Sequence, residues 1–294
     1  GANGVILITT KNAKEGKVNV KYNMYFRVKE KPETYKQESA YDYVLRNWSY
    51  ATAYNAKDGQ DIAKYFGVGS ENGNHLEEYK SMGTHNYQDD LLGSSHSWNH
   101  DLSISGGTER TKYYATLNYI NDKGSLNNTG FRRWNGNVKL TQDINKKLKW
   151  NLDARYSEMQ FKGAKFEYAT CSYNFRPIDT PLGEDDGSLL GMGDSHVSQA
   201  FNPVSIYDNY TSIHTRNRMR ANNSLIWTPI KGLTGKTELT LGRNWSEQKT
   251  WDGGFEEGYS HAKLKKSDGY HVKWTSTINY NVQGLGKDHK LDLL

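Results

Sequence analysis

HDLSISGGTERTKYYATLNYINDKGS, residues 100–125, reads as two alternating strands joined by a short polar turn. His100, Leu102 and Ile104 face one way, and Asp101, Ser103 and Ser105 the other. After the turn, Tyr113, Ala115, Leu117 and Tyr119 alternate with Tyr114, Thr116, Asn118 and Ile120. One side is mostly apolar and the other mostly polar, so the fold turns on which solvent each side meets.

Working outward, the same period of two recurs along the chain. Val18, Val20, Tyr22, Met24, Phe26 and Val28 interleave with Asn19, Lys21, Asn23, Tyr25 and Arg27. Trp134, Gly136, Val138 and Leu140 oppose Arg133, Asn135, Asn137, Lys139 and Thr141; Leu148, Trp150, Leu152, Ala154 and Tyr156 oppose Lys147, Lys149, Asn151, Asp153 and Arg155. Met219, Ala221, Leu225 and Trp227, then Leu239, Leu241 and Trp245, then Val272, Trp274, Ile278, Tyr280 and Val282 continue the series, and a ninth strand begins near Leu291. Strands of about ten residues match a tilted bilayer crossing, whereas soluble sheets favour about 5–6.

The connections alternate as well. Short ones fall at 106–111, 145–147, 228–233 and 284–288; long ones at 29–96, 121–131, 161–214 and 247–269. Tight turns at one end and large loops at the other are the habit of outer-membrane barrels. A soluble sandwich fills its interior with apolar side chains. Here the second face carries Asn, Lys, Thr, Asp and Arg on nearly every strand, which requires water. An antiparallel transmembrane β-barrel with lipid outside and a hydrated lumen inside is therefore expected, all-β and partial. Trp134, Trp150, Trp227, Trp245, Trp274 and Tyr280 lie near strand ends, where amphipathic rings suit the headgroup level. Ordinary cross-strand aromatics on a soluble sheet are the competing reading.

Composition agrees. The 294 residues contain 21 Tyr, 8 Trp, 28 Gly and only 5 Pro. The mean hydropathy of −0.89 is low, but 13% aromatics argue against disorder. The net charge of +5 is dispersed, with no Lys/Arg run to mark a nucleic-acid stripe. A single Cys171 excludes an internal disulfide. The longest apolar run, Val5–Ile8, is far below the ~20 residues of a membrane helix. GANGVILITT already looks like the inside of a strand, and HKLDLL like a strand cut short, so further chain is expected on both sides.

Several stretches together resemble the SusC/RagA family of TonB-dependent outer-membrane transporters. GANGVILITTK is similar to the end of that family's plug domain, and SAYDYVLRNW to the helix after its first barrel strand. LSISGGTERTKYYATLNYINDKGSLNN and FRRWNGNVKLTQDINKKLKWNLDARYS resemble its early barrel hairpins; the likeness runs from residue 1 to about 160 and then thins. The resemblance implies residues 1–12 as the end of a plug and 13–294 as the N-terminal eight to nine strands of a 22-stranded barrel. It also implies import of oligosaccharides or peptides across the outer membrane of a Gram-negative bacterium. The partners it implies are a SusD-like surface lipoprotein and TonB, the latter acting through the region upstream. A siderophore or vitamin receptor, and a soluble secreted carbohydrate-binding module, are the alternatives.

No catalytic constellation, cofactor motif or metal spacing is found. The nine histidines are scattered, and GEDDGS and NAKDGQD read as acidic turns rather than calcium loops. The loops carry the candidate ligand contacts. QESAYDYVLRNWSYATAYNAKDG (37–59) is predicted helical, followed at 59–69 by a loop with a short helical turn. Trp48, Tyr54, Tyr65, Tyr168, Tyr173 and Tyr207 are the substrate-binding candidates, since their rings offer an apolar plane with a polar tip. The competing role for each ring is to fold the loops onto one another.

Overall fold

The computed structural model describes residues 15–54, 56–69, 73–165, 175–178, 182–183, 203–253, 260–282 and 292–293. The strands are β1 (Gly16–Lys29), β2 (Ser95–Gly107), β3 (Thr111–Lys123), β4 (Gly130–Asn145), β5 (Leu148–Gly163), β6 (Tyr210–Trp227), β7 (Leu233–Asp252), β8 (His261–Asn281) and β9 (Asp292–Leu293). They form one nine-stranded sheet in sequence order, and every neighbouring pair is antiparallel. All nine predicted strands are present.

The register decides what the alternation means. One row of directly paired residues crosses eight strands: Val20, Ile104, Ala115, Val138, Ala154, Ala221, Leu241 and Val272. The adjacent row reads Lys21, Ser103, Thr116, Asn137, Arg155, Arg220, Gly242 and His271. Seven successive pairings keep the two classes apart, so across the middle of the strands one face is apolar and the other polar. The two faces also differ in crowding. Lys139 exposes 12% of its side chain while Val138 is 49% exposed; Thr240 is 3% exposed and Leu241 43%. Curvature spreads side chains on a convex surface and crowds them on a concave one, so the polar face is the inside of the curve. In water each outward Val or Leu would forgo about 1.5–3 kcal/mol of burial; hydrocarbon removes that cost. The sheet is an open portion of a barrel, with β1 at one edge.

Tight turns join the strands at one end. Thr108–Arg110 closes β2 to β3, with Thr108 N donating to Thr111 O at 2.7 Å. Asn145 Oδ1 accepts from Lys147 N at 2.8 Å, an Asx turn. Gly232, at φ +87°, takes the third position of the turn before β7, which a type II turn reserves for glycine.

The loop end differs from expectation in two respects. Strands run 13–21 residues (β9 aside), not about ten, so the connections predicted at 121–131 and 247–269 shrink to 124–129 and 253–260. The extra length on β7 and β8 carries Glu247, Lys249 and Lys266 on one face and Lys265 on the other; pairing continues there without the apolar alternation that reveals a strand. Second, the predicted helix 37–59 is α1 (Ala40–Tyr54), but the predicted loop at 59–69 is a second helix, α2 (Ala56–Phe66). Gly59 looks like a breaker, yet a Cβ there would lie 2.8 Å from Thr52 Cα. It is the point of close approach between the two helices. A 3₁₀ turn (Leu76–Lys80), α3 (Tyr87–Leu91) and α4 (Pro203–Asp208) complete the described helices. Residues 1–12, the expected plug segment, lie outside the described residues.

Candidate functional site

Two regions can hold a solute: the polar inner wall and the cap built by the loops at one end of it. On the wall, a recess of about 490 Å³ is lined by Lys139, Asn151, Asp153, Asn222, Ser224 and Glu238 among others. Arg155 donates twice to Asp153, Nε at 2.9 Å and Nη2 at 2.7 Å, while Lys139 Nζ stands 3.9 Å from the same carboxylate. Nearby, Asn118 Nδ2 donates to Asn99 Oδ1 and to Asp101 Oδ1, each at 2.7 Å. Arg218 Nε donates to Asn244 Oδ1 at 2.9 Å. The wall is a lattice of charges and amides, suited to water and to polar solutes.

The cap draws on three connections. Ser39 caps α1: its Oγ accepts from Asp42 N at 3.1 Å and donates to Asp42 Oδ2 at 2.6 Å. At the end of α2, Val68 N donates to Ala63 O at 2.8 Å and Gly67 N to Lys64 O at 3.2 Å. Gly67 sits at φ +63°, a Schellman stop that only glycine adopts without strain. Tyr43, Val44, Ile62, Phe66, Val68 and Tyr79 form the core between the helices. Phe66 meets Tyr43 and Tyr79 edge-on, with centroids 6.1 and 6.2 Å away. Tyr79 Oη donates to Phe66 O at 2.9 Å and accepts from Leu182 N at 2.8 Å. Burial raises the Tyr79 phenol to about 12, and burial likewise raises that of Tyr43. The Glu38 carboxylate, hydrogen-bonded to Arg46, raises the Arg46 guanidinium.

The β5–β6 connection binds this body. Arg176 Nη1 donates to Tyr65 Oη, His85 N donates to Pro177 O at 2.8 Å, and Tyr87 meets Phe175 edge-on at 5.1 Å. The β3–β4 loop joins through Asn127 N to Leu91 O at 2.9 Å and Gly93 N to Ser125 O at 2.8 Å. Loops from three hairpins thus make one surface at the mouth of the polar face.

The aromatic candidates separate within it. Trp48 is half-buried against the helical core, and Tyr65 is buried within it, its hydroxyl engaged by Arg176. Tyr54 stands out at the end of α1, 72% exposed. Tyr207 lies on α4, which packs against α3. Tyr168 and Tyr173 lie outside the described residues. Tyr50, 68% exposed and one helical turn before Tyr54, belongs with it. The helical period did not mark it: Tyr54 falls within the arc of Tyr43, Val44, Asn47 and Ala51 and Tyr50 at its edge, so their exposure depends on where the rest of the cap packs.

Comparison with known proteins finds chains of similar sequence and fold. No family model matches the chain. It is 28% identical over 208 residues to the TonB-dependent receptor P26 of Formosa agariphila, covering 70% of this chain and 19% of that protein. It is 28% identical over 157 residues to the TonB-dependent receptor SusC of Bacteroides thetaiotaomicron, covering 53% of this chain and 14% of that protein. In fold it superposes on the RagAB peptide importer in the open-open state with a TM-score of 0.68 at 16% identity, over 96% of this chain and 34% of the solved one. A structure of the RagAB peptide transporter gives 0.65 at 15% identity, over 95% and 34%. The chain thus spans about a fifth of the first curated relative and about a third of these solved structures. Its sequence is thus similar to TonB-dependent receptors, and its open sheet has the fold of part of the barrel in these solved structures.

Proposed function

We propose that this SusC/RagA-type chain forms part of an outer-membrane importer that takes up oligosaccharides or peptides with a SusD-like lipoprotein, driven through TonB. Residues 1–12 would end the plug and 13–294 begin the barrel. The observation that carries the reading is the pair of unbroken rows, apolar outside and polar inside, across eight strands. An apolar outer wall needs hydrocarbon and a charged inner wall needs water, and a membrane pore supplies both.

Solute would be captured at the cap, where Tyr50 and Tyr54 present two rings and Trp48 and Tyr207 offer partial faces. It would then pass along the inner wall, exchanging hydrogen bonds with side chains such as Asn151, Asn222 and Arg218. The name of the RagAB importer supports peptide cargo, and those of P26 and SusC support TonB dependence; the aromatic ledge suits either cargo. The relatives are named as receptors and importers, which supports passage rather than reaction.

Fractionation of cells expressing the complete receptor tests the reading. It should be recovered with the outer membrane and co-purify with a surface lipoprotein. Recovery in the soluble periplasm would overturn the membrane assignment. Recovery in the membrane with no lipoprotein would overturn the partner.

A further inference from the structure

The outer wall holds two recesses in line on β3, β4 and β5, and passage through the lumen uses neither. The first, about 520 Å³, is floored by Ala115, Gly136 and Ala154 and rimmed by Leu117, Tyr156 and Met219. It exists because Gly136 interrupts a row in which its two partners are Leu117 and Tyr156. A Cβ built on Gly136 meets nothing within 4 Å.

The second recess, about 550 Å³, lies further along the same strands toward the loops, and Lys123, Arg132 and Lys162 border it. The register puts all three on the outer side, with Arg132 four residues from Gly136 on β4, about 13 Å at ~3.3 Å per residue. Tyr119 and Trp134 sit between the recesses, their rings 4.2 Å apart.

The charge there is one-sided. Lys162 Nζ donates to Asn128 Oδ1 at 3.2 Å, and none of the three cations has a carboxylate partner among the described residues. Asp122 also borders the recess, but Lys29 holds its carboxylate from β1. Glu158 is the single acid among the outward positions of β3, β4 and β5, and it lies next to Tyr156, whose Oη donates to it at 3.4 Å. So an apolar notch, an aromatic pair and an uncompensated cationic recess follow one another along the wall in the order of a lipid's chain, glycerol level and headgroup.

We propose that β3–β5 seat one phosphorylated lipid, its phosphate on Lys123, Arg132 and Lys162 and an acyl chain in the notch at Gly136. A guanidinium fork matches phosphate oxygens, and lysines beside it add charge at the membrane surface. The proposal rests on the reading that this face meets the bilayer.

The test uses the complete receptor, purified in mild detergent and titrated with dioleoyl phosphatidic acid while native mass spectra are recorded. Dioleoylglycerol, with the same chains and no phosphate, is the paired probe. One phosphatidic acid should bind per receptor. The variant Lys123→Gln/Arg132→Gln/Lys162→Gln should bind it about a hundredfold more weakly. Gly136→Leu, which fills the notch and leaves the cations alone, should weaken it about fourfold, while Lys123→Arg/Lys162→Arg should bind as the parent does. Equal binding by parent and triple-Gln variant would overturn the seat, as would equal binding of dioleoylglycerol. Displacement by millimolar inorganic phosphate would reduce it to an anion site. A receptor found in the outer membrane but without the lipid adduct defeats this inference alone; a receptor found in the soluble periplasm defeats the reading beneath it.

Discussion

At the scale of single residues, the sheet assigns opposite environments to neighbours. Thr116 and Leu117 are adjacent on β3, yet one pairs with Ser103 and Asn137 inside and the other with Leu102 and Gly136 outside. Lysine should distinguish them. Leu117→Lys places a charge toward lipid and should destabilise the assembled receptor by about 2–4 kcal/mol. Thr116→Lys meets the hydrated wall and should cost under about 1 kcal/mol. The folded fraction after urea titration in detergent micelles, read by heat-modifiable gel mobility, measures both; equal losses would contradict the two-sided wall. Tyr79 gives a second prediction. Its phenol is raised by burial to about 12 from 10.0. A raised folded value means the folded cap keeps a proton that the unfolded cap releases, so this stabilisation is whole below pH 10 and fades as the pH climbs through 12. Near-ultraviolet circular dichroism should show the cap loosening in that window, and Tyr79→Phe should flatten the dependence.

Among the elements, local signals and tertiary needs agree on the strands and diverge on the second helix. Alternation located β1 to β8 because each has one face against an apolar solvent. It stopped short where β7 and β8 leave that solvent, since a ladder with charges on both faces has no period to read. The opposite error occurred at 56–66, where Asp58 and Gly59 weaken helix propensity but Ile62, Ala63, Tyr65 and Phe66 are buried in the cap core. Packing against α1 outweighs the propensity, and Gly59 is there for contact. Gly59→Val should push α1 and α2 apart and cost about 1–3 kcal/mol. Limited proteolysis of the receptor should then cut within residues 30–94 while the strands stay protected; an unchanged digestion pattern would show that the two helices are not so closely set.

For the molecule as a whole, the open sheet sets the behaviour of this length of chain. Among the described residues β1 has a neighbour on one side only, and its outward Val18, Val20 and Tyr22 are well exposed. An exposed, apolar, fourteen-residue edge is a template for pairing with other chains. Expressed by itself without detergent, residues 1–294 should therefore aggregate, whereas the complete receptor refolded into detergent should be monodisperse by size-exclusion chromatography. A soluble monomer of this chain alone would contradict the barrel assignment.

The amino-acid sequence by itself determined the number of strands, their order along the chain, the two faces of each and the end at which the large loops lie. All of these follow from one local fact, that side chains on a strand alternate and each side meets its own solvent. Tertiary structure alone decided the register that joins eight short alternations into continuous rows, and the curvature that puts the polar row inside. It also decided the packing that buries Tyr65 and half-buries Trp48 while leaving Tyr50 and Tyr54 exposed, and the gap at Gly136. Those depend on which residues from distant segments are brought side by side, and no local period records a neighbour a hundred residues away.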